Sequence, residues 1–113
     1  MRVSVCAPIV DFKGSAILHP DGAKATFRSI CVEILGAHIP DLDANKDAKY
    51  CMDLYLLAKK LSESEFVDLS IEELFSLKTR ITAFQYNNIV KGRIYDILDG
   101  QNQLQKAPEC SNG

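Results

Sequence analysis

The sequence predicts a mainly α fold (α+β): a four-helix domain with an N-terminal β-hairpin and a disordered C-terminal tail. Three observations carry this. Ser70 and Glu73 have the spacing of a capping box, and Leu69 and Leu74 the spacing of its hydrophobic staple. Apolar residues recur at helical period in four separate segments. Residues 3–9 instead alternate, with Val3, Val5, Ala7 and Ile9 separated by Ser4, Cys6 and Pro8.

In chain order, that alternation makes the first arm of the hairpin. Asp11-Phe12-Lys13-Gly14 is its turn, with Gly14 supplying positive φ, and Ser15–His19 is the returning arm. Pro8 places the first arm at an edge. Pro20-Asp21-Gly22 is a second turn. Thr26 caps a first helix over 27–35, whose stripe is Phe27, Ile30, Cys31, Ile34 and Leu35. Gly36 is placed to end it as C′. The next segment, 37–41, reads as a connector because Pro40 biases its predecessor away from helix.

The second helix is expected over 44–62, with Asp43 as N-cap. Cys51, Leu54, Tyr55, Ala58 and Leu61 or Ser62 form one stripe, widened by Tyr50, Leu57 and Leu61. So wide an apolar face needs more than one neighbour. The third helix follows the capping box over 71–84 and buries Leu74, Leu77, Ile81 and Phe84, with Phe75 alongside. Asn87 or Asn88 caps the fourth, over 89–98, which buries Val90, Ile94, Ile97 and Leu98. Gly92 inside it costs propensity, which close approach of another backbone would explain. Gly100 is the C′ residue. Residues 1–100 are thus one domain, and the polar, aperiodic segment 101–113 a flexible tail.

Composition limits the function classes. The chain has 113 residues, 47% hydrophobic and 25% charged, with a net charge of −2. These are ordinary globular values, with no general pull toward nucleic acid or anionic lipid. No apolar run reaches the roughly 20 residues of a membrane helix. The first residues do not read as a secretory signal, because Asp11 and Lys13 interrupt the apolar stretch. The four cysteines (Cys6, Cys31, Cys51 and Cys110) form no C-x-x-C pair. A cytoplasmic protein is expected, with Cys31 and Cys51 packing as small hydrophobes. A zinc site with His19 and His38 lacks the usual paired ligand spacing, so neither metal nor cofactor is expected.

No catalytic motif is present, and a non-enzymatic protein is expected. His19 and His38 have no nucleophile at motif spacing. Asp41 and Asp43 open like an ion loop, but Lys46 and the missing Gly and Glu break the pattern. Charge is the one suggestive feature. From Glu63 to Glu73 every charged residue is acidic; from Leu74 to Tyr95 every one is basic. The macrodipole accounts for acid at one helix start and base at its end. It does not account for Lys91 and Arg93 at the start of the next helix. Lys78, Arg80, Lys91 and Arg93 are therefore the candidate ligand-binding residues for a phosphate-bearing nucleotide. The alternatives are a solvated face or a charged protein interface. A helix-turn-helix reading would make residues 89–95 a recognition helix, but Asp96 and Asp99 repel phosphate and the chain is acidic.

The stretch Phe66–Glu73, then Leu77-Lys78-Thr79-Arg80-Ile81, then Ile89–Gly100, resembles small accessory proteins encoded by tailed phages and prophages. Asp11-Phe12-Lys13-Gly14 ahead of the Phe27–Leu35 helix belongs to the same resemblance, which spans about residues 5–100. It departs at Asn87-Asn88, where Pro or a small apolar residue is expected. It carries no catalytic residue. It implies a phage accessory protein in a bacterial host, and no particular activity. The absent active site, the wide apolar faces and the segregated charge point to one that binds a protein partner, as an assembly factor or an antagonist of a host protein. Open strand edges on the hairpin, and the width of the second helix, add a possible homodimer.

Overall fold

The computed structural model describes residues 2–100, so the predicted tail over 101–113 lies outside the described residues. The fold class is the one the sequence predicts: mainly helical, with antiparallel β structure at the N-terminus. The elements are β1 (Arg2–Ser4), α1 (Phe27–Gly36), α2 (Pro40–Asp43), α3 (Ala48–Glu63), β2 (Phe66–Asp68), α4 (Ile71–Ala83) and α5 (Asn88–Leu98).

The N-terminal hairpin closes where Asp11 and Gly14 predict. The Asp11 carboxylate accepts the N–H groups of Lys13 and Ser15, and Gly14 has φ 85°. Val10 bridges Ala16, and Ile17 N–H donates to Ile9 O. The arms are short, however, and the first residues pair elsewhere. β1 is antiparallel to β2, with Val3 opposite Val67. Val3, Val5, Ala7 and Ile9 are all buried in the core. The apolar face on which a dimer through the hairpin was expected is thus covered by the chain's own helices. Burying it also explains why so small a sheet persists.

α1 is the central helix. Its five predicted stripe residues are all buried, and it packs on both α3 and α4. Thr26 caps it in a capping box with Ser29. Ser70 and Glu73 form the same motif at α4, as their spacing requires. Asn87 caps α5 by accepting Val90 N–H. Gly100, at φ 83°, is left-handed beyond α5.

The second helix departs from expectation. Pro40 does not merely end a connector; it takes the first position of the short α2, where its missing N–H costs nothing. Asn45 then turns at φ 62°, and α3 begins late, with Asp47 rather than Asp43 accepting Tyr50 N–H. Starting at Ala48, α3 buries only Leu57 and Leu61 fully. Cys51 and Tyr55, expected on the inner stripe, are exposed. Two other expectations change. Gly36 is the last helical residue rather than a left-handed C′, and Ala37 leaves α1 in an extended conformation. No heavy atom outside its own helix and chain neighbours lies within 4 Å of a Cβ built on Gly92, so no close backbone explains it.

Candidate functional site

The four candidate cations do not converge. Arg80 is only 2% exposed. Its Nε donates to Ile34 O at 2.8 Å, and its Nη2 to Ala37 O at 2.7 Å. Both terminal nitrogens reach the Asp43 carboxylate, at 2.7 and 3.1 Å, and Nη1 lies 3.4 Å from the Tyr50 hydroxyl. That arrangement occupies the guanidinium fork. Lys91 donates to Thr82 O at 3.0 Å. Arg93 donates to Val10 O and Asp11 O, and its guanidinium lies 5.6 Å from the Phe12 ring centroid. Lys78 is ion-paired with Asp99 and lies 5.8 Å from the Tyr95 ring centroid.

A common local cause explains two of these placements. α1, α3 and α4 all leave their last turn in an extended conformation, without a left-handed residue to gather their free carbonyls. Basic side chains serve instead. Arg80 caps α1, Arg28 caps α3 through Leu61 O and Ser64 O, and Lys91 caps α4. The positive charge also complements the negative end of each macrodipole. Arg93 fastens the hairpin turn to α5. Of the four, Lys78 alone lines a described groove.

That groove runs along the outer face of α4 beside α5 and encloses about 590 Å³. Ile71, Leu74 and Phe75 form its apolar end; Lys78, Thr82 and Tyr95 form its polar end. Ile71 is 82% exposed and Phe75 60%. The two are one helical turn apart and point away from the face that buries Leu77, Arg80 and Ile81. Helical periodicity sets Phe75 beside the core and does not point to this face. The available signal was Arg80, which shares a face with Leu77 and Phe84 and so rotates the buried side of α4 away from Phe75.

A second cluster has the order of groups of an acyl-transfer triad. Ser29 Oγ is 2.8 Å from His19 Nε2, and His19 Nδ1 is 3.7 Å from Glu33 Oε2. The surrounding donors are committed, however. Ser29 N–H serves Thr26 Oγ1, Arg28 N–H serves Val5 O, and Phe27 N–H serves Ala7 O. None of these is left for an oxyanion. Ser29 Oγ itself accepts Thr26 N–H within the capping box. The cluster fastens the turn at 19–22 to the first turns of α1, and Tyr86 joins it by donating to Glu33. Burial first, and then this carboxylate, raise the Tyr86 phenol above its ordinary range.

Among the described residues no three His, Cys, Asp or Glu side chains converge as a metal site, and no helix is long and apolar enough to cross a membrane. Comparison of the chain with protein-family models, curated proteins and solved structures finds no match.

Proposed function

We propose that this chain is a non-enzymatic binding protein that docks a protein partner on the outer face of α4. The single observation that carries this is the exposure of Ile71 and Phe75 side by side on a helix whose opposite face is buried. Large aromatic and aliphatic side chains held on a rigid helix are the usual anchors of a protein interface. Lys78, Thr82 and Tyr95 would supply the polar rim. In keeping with the sequence resemblance, the role is that of a phage or prophage accessory factor, acting in assembly or against a host protein, within the host cytoplasm. A second copy of the chain is one admissible partner.

Nucleotide sequestration and DNA regulation have less support. Both need converging cations, whereas Arg80 is buried on Asp43 and Lys91 and Arg93 each donate to separate backbone carbonyls of the chain itself.

The test compares wild type with an Ile71→Asp, Phe75→Asp double variant. Bacterial host proteins captured by wild type are identified, purified and titrated calorimetrically. The reading requires one that binds wild type and loses at least tenfold in affinity to the double variant, because charge enters the anchor. Equal affinity for both proteins removes the α4 face. A thermal shift with nucleotides but with no protein would replace the reading with ligand binding.

A further inference from the structure

β2 has an open edge with a groove beside it. Val5 N–H donates to Glu65 O, continuing the register that sets Val3 against Val67. Hydrogen-bonded pairs alternate in an antiparallel ladder. The backbone groups of Glu65 and Val67 therefore face β1, and those of Phe66 and Asp68 face outward. Among the described residues, no backbone bond outside the ladder reaches Phe66 or Asp68. A groove of about 500 Å³ is lined by all three residues of β2 and, across from them, by Leu56 and Lys59 of α3. Side chains of consecutive strand residues point to opposite faces. A groove touching Phe66, Val67 and Asp68 together therefore runs along the edge rather than over a face.

Charge selects the occupant. Of the cations lining the groove, Lys60 is held by Glu73 at 3.0 Å and Lys59 lies 3.9 Å from Glu63. Asp68 is exposed and has no ion pair among the described residues, because Arg2, opposite it in the ladder, lies over the Phe66 ring at 4.9 Å instead. A second copy pairing β2 with β2 would set Phe66 against Asp68 and bring the two Asp68 carboxylates to diagonal positions, roughly 7–8 Å apart. Like charges there oppose self-association. A cation there is favoured.

We infer that the open edge of β2 accepts an extended segment of a partner protein as a third strand, with lysine or arginine opposite Asp68 and an apolar residue beside Phe66 and Leu56. Main-chain bonds to Phe66 and Asp68 hold the strand, and alternate side chains specify it. This surface is distinct from the α4 face, so either can fail alone.

Amide spectra of the full chain, titrated with two capped seven-residue peptides, test it. One carries lysine and valine two residues apart on one strand face, with threonine between them, and the other carries glutamate and valine in the same places. The inference requires shifted and exchange-protected amides at Phe66 and Asp68 with the basic peptide and a much weaker response to the acidic one. Asp68→Pro deletes an outward N–H and leaves the β1 ladder intact, and should weaken binding about tenfold. Asp68→Lys, which keeps the backbone donor should the proline variant not fold, should reverse the charge preference. Ile71→Asp with Phe75→Asp should leave peptide binding unchanged. No response at Phe66 and Asp68, equal response to both peptides, or responses confined to Ile71 and Phe75 would overturn the inference.

Discussion

Arg80 and Asp43 join three elements through one buried ion pair, 2.7 Å between Nη1 and Oδ1. Asp43 closes α2, whose position follows from Pro40 and from its own bond to Ile39 N–H at 2.7 Å. Arg80 comes from the last turn of α4 and reaches the last carbonyls of α1. The pair thus fixes how α4 lies on α1, and with it where the opposite face of α4, carrying Ile71 and Phe75, is presented.

Removing one partner should be costly. Arg80→Ala leaves a largely buried carboxylate and two helix-end carbonyls without donors. A loss of roughly 3–5 kcal/mol is expected, because an uncompensated charge remains inside. Arg80→Ala and Asp43→Ala together should cost less than the sum of the two, with a coupling of roughly 1–3 kcal/mol. Urea unfolding of wild type, the single variants and the double variant checks both statements. Additive losses would mean that the two side chains act independently.

The same pair sets the acid limit of stability. Hydrogen bonds from Arg80 above all, then from Ile39 N–H and Tyr50, hold the Asp43 carboxyl well below the usual carboxylate range against the effect of burial. For Glu73, burial pushes upward, but bonds from Ser70 N–H and Lys60 outweigh it and lower the carboxyl. A depressed folded-state value means that the unfolded chain binds more protons in this range. The stabilisation is therefore complete above the unfolded value, near 4 for these carboxyls, and is lost as pH falls below it. Unfolding free energy should decline from about pH 5 downward, and Asp43→Asn should show a shallower decline. Parallel curves for the two proteins would place the acid sensitivity elsewhere.

The ends of α4 and its two faces separate three kinds of energy. Ser70→Ala removes a reciprocal cap and should cost about 1 kcal/mol. Leu77→Ala empties a fully buried site and should cost roughly 2–5 kcal/mol. Leu74, half-buried beside the groove, should cost less than Leu77. Thermal or urea unfolding gives the order Leu77, then Leu74 and Ser70. A larger loss from Leu74 than from Leu77 would mean that the groove face is packed in solution.

What was legible in the sequence was local. The caps at Thr26, Ser70 and Asn87, the left-handed Gly14 and Gly100, and the buried stripe of α1 depend on residues within a turn or two of one another. What was illegible depends on residues far apart. β1 pairs with a strand more than sixty residues away, which no alternation pattern names. Arg80 and Lys91 read as surface cations until the carbonyls they cap are placed beside them. Asp43 reads as a helix cap because an acid before an apolar run normally is one; Asp47, four residues later, satisfies the same rule. Phe75 follows the same logic: an apolar residue on a helix reads as lying beside the core, although burying Arg80 uses that side.

Gly92 isolates the helix term from everything else. It stands inside α5, between buried Val90 and Ile94, yet is exposed itself, and its φ lies outside the left-handed region. No heavy atom outside its own helix and chain neighbours lies within 4 Å of a Cβ placed there, so alanine introduces no clash. Glycine in a helix interior costs roughly 0.5–1 kcal/mol relative to alanine, chiefly through the greater freedom of the unfolded chain. Gly92→Ala should therefore stabilise the protein by about that amount. The midpoint of urea unfolding should rise with an unchanged denaturant slope. The sequence reading, in which a second backbone approaches this position, makes the opposite forecast. A destabilised Gly92→Ala protein would mean that something in solution packs against α5 at this point.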